Sequence, residues 1–290
     1  MPKPRARELG IPLEGRPGPL NAITDLPGIE IGYTTLIEGE STRTGVTILH
    51  PRGKENHDPV FGGWFALNGN GELTGAAWIE EGGFLEGPIG LTNSHSVGVV
   101  RDTIIDWQVK HDAIFQRWSL PVVAETADGW LNDMNGFHIQ TEHVFHALDS
   151  ARGGPLAEGS VGGGTGMLGY EFKAGTGTAS QKLPAKFAGY TLGALAQVNF
   201  GRRYQLTIAG VPVGQHLIEN AVFTNGENPV RESGSLVAIV ATDAPLLPYQ
   251  LKRLARRGAI GMARCGGIAR DGPGDPTRPS SAVGQGAARP

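Results

Sequence analysis

Cysteine is almost missing from this 290-residue chain: Cys265 stands alone. That excludes an intrachain disulfide framework and any multi-cysteine zinc or iron–sulfur site. Long hydrophobic runs are missing too, since none approaches the roughly 18–20 residues of a membrane span. The opening MPKPRARELGIPLEGRPGPL has basic residues but no apolar stretch behind them, so no Sec signal is expected and the cytoplasm is the default compartment. Positive charge is not in excess either. With 25 basic and 28 acidic residues the net charge is −3, which argues against nucleic acid or an anionic membrane as partner. What is abundant is glycine, 45 residues, while a 39% hydrophobic content stays in the globular range. The glycines therefore belong to turns and close backbone approaches.

Short β-branched or apolar stretches bounded by turn residues predict strands over 29–36, 46–50, 76–79, 121–125, 204–213 and 235–242. Helical spacing marks 102–114 and 142–151, and 190–198 fits either state. A further helix is expected from Asp243, with Pro245 and Pro248 in its first turns and Leu247, Leu251, Leu254, Ala255 and Met262 near one face. Lys252, Arg253, Arg256 and Arg257 then form its solvated side. Mixed elements along the whole length, without repeat or linker, predict a single layered α/β domain over 1–268. The stretch 269–290, rich in Pro, Gly and Arg, is expected to be a disordered tail.

Several patterns resemble known sites only superficially. Gly164-Thr165-Gly166-Met167-Leu168-Gly169 matches G-x-G-x-x-G but has neither the strand before it nor the helix after it that a dinucleotide turn requires. His138, His143 and His146 lack a third ligand at diagnostic spacing and read as surface or capping residues, so no metal is expected. His95 has no G-x-S-x-G serine to serve as base. Gly234-Ser235 is more informative because it opens directly onto an apolar, β-branched run. If that peptide is cut, Ser235 gains an α-amine with a pKa of about 7.7–8.0 beside its own Oγ, so that one residue supplies both nucleophile and base. A plain Gly-Ser turn is the competing reading.

Six segments together resemble the L-aminopeptidase D-amidase/D-esterase and β-peptidyl aminopeptidase family (DmpA/BapA type). They are Asn21–Gly28, Pro88–Gly98, Val123–Asp133, the glycine-rich Val161–Met167 with Phe172–Ser180, Gln197–Gly201, and Gly234–Arg264. The resemblance implies a four-layer α/β/β/α sandwich of the N-terminal-nucleophile type, shared with ornithine acetyltransferase and here C-terminally shortened. It implies a precursor that cuts itself into an α chain (1–234) and a β chain (235–290), assembled as a homotetramer. The implied substrates are short peptides, amides or esters with a free amino group, attacked by Ser235 through an acyl-enzyme with no cofactor. Asn199 matches the position that holds the oxyanion, and Glu125 matches a pocket acid facing the substrate ammonium. Asn93 and His95 fall in the substrate-binding segment.

The resemblance is incomplete near the nucleophile. The family's Ser-Gly-acid element aligns with Pro273-Gly274-Asp275, leaving Asp275 as the matching catalytic residue but proline in place of the serine. Ala127 stands where the family has an aromatic residue. The segment after Ser235 is roughly half as long as the family's β chain. These departures define an alternative: an uncleaved, catalytically impaired homologue that only binds or assembles. Acyl transfer of the ornithine acetyltransferase kind, which uses a threonine nucleophile, fits less well.

Overall fold

The computed structural model describes residues 4–219 and 234–268, and the backbone of 282–288. Two sheets lie face to face. The first has four strands in the order β1 (Glu30–Glu38), β2 (Thr42–His50), β5 (Ile89–Thr92), β6 (Val122–Glu125). The second has six, in the order β4 (Phe84–Leu85), β3 (Val60–Ala66), β12 (Ala282–Ala288), β11 (Ser235–Thr242), β10 (Thr191–Asn199), β9 (Thr176–Lys182). A two-stranded ribbon, β7 (Leu168–Gly169) and β8 (Phe172–Lys173), stands beside them.

The layering follows from which side chains alternate inward. Ile31, Leu49, Ile89, Val122 and Ala124 of the first sheet meet Leu195, Val237, Ile239 and Ala241 of the second in one dry core. The other face of the first sheet, through Val46, Ile48 and Val123, packs on α2 (Val97–Lys110) and α3 (Thr141–Asp149), which supply Val100, Ile104, Val144 and Leu148. Helices α4 (Pro248–Ala255) and α5 (Arg257–Arg264) cover the six-stranded sheet, and the short α1 (Ala76–Gly82) adjoins β3. The result is the expected α/β/β/α sandwich. No helix among the described residues is long and apolar enough to cross a membrane.

Four expectations are corrected. Residues 76–79 are helical, because Gly75 and Gly83, both at positive φ, bracket an apolar run too short to declare its period. Residues 204–213 form turns around a single Ile208–Val211 bridge, as Gly210 and Pro212 break the run. The helix expected from Asp243 starts at Pro248. Asp243 Oδ1 instead accepts from Thr191 N–H at 2.7 Å, and Leu247 is held extended before the proline. Finally, within the tail expected to be disordered, residues 282–288 form β12, parallel to β11 and antiparallel to β3, where ladder bonds are offered on both sides. The ambiguous 190–198 is strand β10.

His50, at the end of β2, is buried between the first sheet and its helices. Its Nε2–H donates to Leu148 O at 3.2 Å, and the ring packs 5.3 Å from Trp107. Burial lowers its pKa from the usual 6.5 to about 4, with Lys54 and His57 adding to the effect. Neutral His50 is therefore part of the folded state. Stability is complete above pH 6.5 and falls towards pH 4, as the unfolded chain takes up a proton that the folded chain refuses. About 3 kcal/mol is expected over that window. His50→Gln, which keeps a donor but does not titrate, is expected to flatten the fall in urea midpoint between pH 7 and pH 4; an unchanged slope refutes the assignment.

Candidate active site

The ends of the two sheets meet at a cavity of about 550 Å³. Its wall includes Asn70, Ser94, Glu125, Ala127, Trp130, Met134, Asn199, Gly234 and Ser235. The second sheet contributes Ser235, first residue of β11, directly opposite Asn199, last residue of β10. Strand alternation places Ser235 in line with Val237, Ile239 and Ala241, so its hydroxyl begins the face turned toward the other sheet. The first sheet contributes Glu125 at the end of β6 and the turn that follows it.

Ser235 Oγ is met from both sides. It accepts from Ala127 N–H at 3.2 Å and from the Asn199 side-chain amide at 3.3 Å. The Asn199 amide cannot turn over: Leu168 N–H donates to its Oδ1 at 3.0 Å, and its Nδ2 also donates to Ala127 O at 2.7 Å. Both polar side chains are buried, Ser235 at 7% and Asn199 at 6% exposure. Two fixed donors thus converge on one buried hydroxyl, next to where a carbonyl attacked by that hydroxyl would develop negative charge.

Glu125 forms the other pole. Ser94 Oγ donates to its Oε2 and Glu72 N–H to its Oε1 at 3.2 Å. Among the described residues it has no ion-pair partner. Behind the cavity, the turn after β6 is anchored by Asp128, which accepts from Asn132 Nδ2 at 3.0 Å. Burial raises the Asp128 carboxyl above the usual carboxylate range, although Thr44, Asn132 and Asn93 pull the other way.

The structure brings Ser235, Asn199, Glu125 and Gly234 together at this cavity, but not every expected residue. Asn93 is buried behind it, donating to Thr44 Oγ1 at 2.8 Å and accepting from His95 N–H at 3.0 Å. His95 is exposed and stacks on Phe137 outside the lining. The residue of that segment that faces the cavity is Ser94, between them. Pro273 and Asp275 lie outside the described residues. Ala127 contributes its backbone N–H, a role its side chain could not announce. Trp130 and Met134, an apolar wall on the turn after β6, carried no sequence signal. His143 caps its helix, with Nδ1 accepting from Gln140 N–H at 3.0 Å.

The model of peptidase family S58 matches residues 21–281. The chain belongs to peptidase family S58. It is 49% identical to β-peptidyl aminopeptidase BapA of Sphingosinicella microcystinivorans, over 94% of this chain and 73% of that protein. Among solved structures, a Burkholderia sp. β-aminopeptidase superposes with a TM-score of 0.88 at 46% identity, covering 98% of this chain and 77% of that one. The L-aminopeptidase D-Ala-esterase/amidase of Ochrobactrum anthropi gives 0.88 at 43%, covering 99% and 78%, and is described as a prototype serine aminopeptidase with a variant of the Ntn hydrolase fold. This S58 protein is accordingly a peptide-bond hydrolase of the aminopeptidase kind on an Ntn-type fold. The likeness supports that reading over an impaired homologue.

Proposed function

We propose that this S58 peptidase is a self-processing serine aminopeptidase acting on short peptides, amides or esters with a free amino group, β-amino acyl compounds included, and that it works as a homotetramer. The observation that carries the reading is Ser235 Oγ in the cavity wall, held by Ala127 N–H and Asn199 Nδ2, with the Glu125 carboxylate on the same cavity.

In maturation, Ser235 Oγ adds to the Gly234 carbonyl carbon and the C–N bond breaks, giving an ester on Oγ and a free α-amine. Water hydrolyses that ester, leaving Gly234 with a carboxylate and Ser235 with amine and hydroxyl. The amine then takes the Oγ proton as Oγ adds to the substrate carbonyl. Ala127 N–H and Asn199 Nδ2 stabilise the oxyanion, the leaving amine takes the proton, and water releases the acid. Intact mass and anilide release, with Ser235→Ala as control, test this sequence.

Glu125 is assigned the substrate ammonium, because a buried carboxylate holding two neutral donors and, among the described residues, no cation is most stable when a cation joins it. Glu125→Gln keeps the shape and an acceptor for Glu72 N–H but removes the charge. A charge-assisted hydrogen bond is worth about 1.5–3 kcal/mol, so KM for alanyl or β-alanyl p-nitroanilide is expected to rise about 10–100-fold with a smaller change in kcat. An unchanged KM removes Glu125 from this role.

A further inference from the structure

The proposed machinery is divided between two sheets, and one buried side chain ties them together beside it. Gln197 lies two residues before Asn199 on β10, on the same inward face, and is 0% exposed. Its Nε2 donates to Thr126 Oγ1 at 2.7 Å and to Thr92 O at 3.0 Å. Thr126 is the residue between Glu125 and Ala127; Thr92 ends β5. Thr126 Oγ1 passes its own hydrogen to Met167 Sδ at 3.0 Å, and its N–H donates to Thr92 O at 3.2 Å. From the same face of β10, Asn199 Nδ2 grips Ala127 O. Two amides in a row thus hold the segment 125–127 against the second sheet.

Among the described residues the Gln197 carbonyl has no hydrogen-bond partner in its buried setting. An apolar side chain of the same size would avoid that cost, so the amide is useful at this position for its two N–H groups. Space for it is provided by Gly163, where a Cβ would stand 2.2 Å from Gln197 Oε1 and 2.7 Å from Leu91 O. We infer that Gln197 is a positioning residue for the aminopeptidase reaction: by bonding Thr126 and Thr92 it sets where the Glu125 carboxylate and the Ala127 N–H stand relative to Ser235. The inference rests on the roles proposed above for those three residues.

The variants are Gln197→Met, which keeps the volume without the donors, Thr126→Val, which removes the acceptor, and Thr126→Ser, which restores it. Each is taken as full-length protein, checked for melting temperature and cleavage by mass, and assayed on alanyl p-nitroanilide well below its melting point. Displacing reacting groups by about 1 Å costs as much as about 10²-fold, so Gln197→Met and Thr126→Val are expected to lose about 10–100-fold in kcat/KM, with KM raised and kcat lowered together. Thr126→Ser is expected to recover at least half the wild-type value. A purely structural tie would lower the melting temperature and leave kcat and KM of the folded enzyme within about twofold, which overturns the inference. Should Gln197→Met not fold, the Thr126 pair decides by the same criterion. A wild-type chain without Ser235-dependent hydrolysis overturns the proposed function and this inference with it, whereas an active wild type with indifferent variants overturns only the latter.

Discussion

Ser235→Ala is expected to give one uncut chain of 30.5 kDa that releases no p-nitroaniline from alanyl or β-alanyl anilides, where the wild type gives two fragments breaking at Gly234–Ser235. The two readouts fail together for one reason. In the proposed mechanism the hydroxyl that opens the peptide bond is the one that later attacks substrate, and the α-amine that activates it appears only on cleavage. Loss of a nucleophile that acts as a unit with its base costs on the order of 10⁴-fold or more, so the variant falls to the assay floor. The structure also shows why glycine precedes the bond. A Cβ at Gly234 would lie 2.7 Å from Phe200 Cβ and 2.8 Å from Phe200 Cα, and both neighbours belong to the chain just after β10. A side chain at 234 would push the Gly234–Ser235 peptide away from Phe200 and from the end of β10, where Asn199 stands. Wild-type protein that stays uncut, or an alanine variant that still cleaves, removes Ser235 from both roles.

The second large effect is expected at Asn199. Alanine there removes a donor 3.3 Å from Ser235 Oγ and the bond that holds Ala127 O. Removal of one oxyanion donor in a preorganised site costs about 10²–10³-fold in kcat, and little of that is expected in KM because the ground-state carbonyl is bound less tightly than the oxyanion. Asn199→Asp is the sharper control. It is nearly isosteric, yet it presents an acceptor where Ser235 Oγ and Ala127 O both need a donor, so it is expected to lose at least as much as alanine. Mass analysis separates a slow enzyme from an uncut one. If either variant, once cleaved, retains kcat within threefold of wild type, Asn199 holds the turn after β6 and nothing more.

The layered architecture could be read from the sequence because strands such as 235–242 announce themselves by β-branched runs with turn residues at both ends. Short apolar runs were ambiguous. Nothing in 76–79 distinguishes a strand from a helical turn, and the deciding features are the left-handed glycines on either side. At the site, Ser235, Asn199 and Glu125 could be found because each carries its chemistry in its side chain and lies in a segment with a family counterpart. Ser94 was missed by a single position, its neighbours Asn93 and His95 having the more conspicuous side chains, since which residue of a turn faces a cavity depends on backbone angles. Ala127 is a different case. It was weighed by a side chain it lacks, whereas the structure uses its backbone N–H, a group every residue but proline possesses.

The strand order of the six-stranded sheet, β3-β12-β11-β10, bears on what a cut at 234–235 leaves behind. The smaller fragment contributes two adjacent strands, and the larger fragment flanks that pair on both sides, through β3 and β10. The pieces are interleaved like a tongue in a groove. Separating them means unzipping two hydrogen-bonded ladders at once, a far larger opening than undocking a surface subunit. The nicked enzyme should therefore travel as one particle and melt in one step, with the severed link detectable only after denaturation.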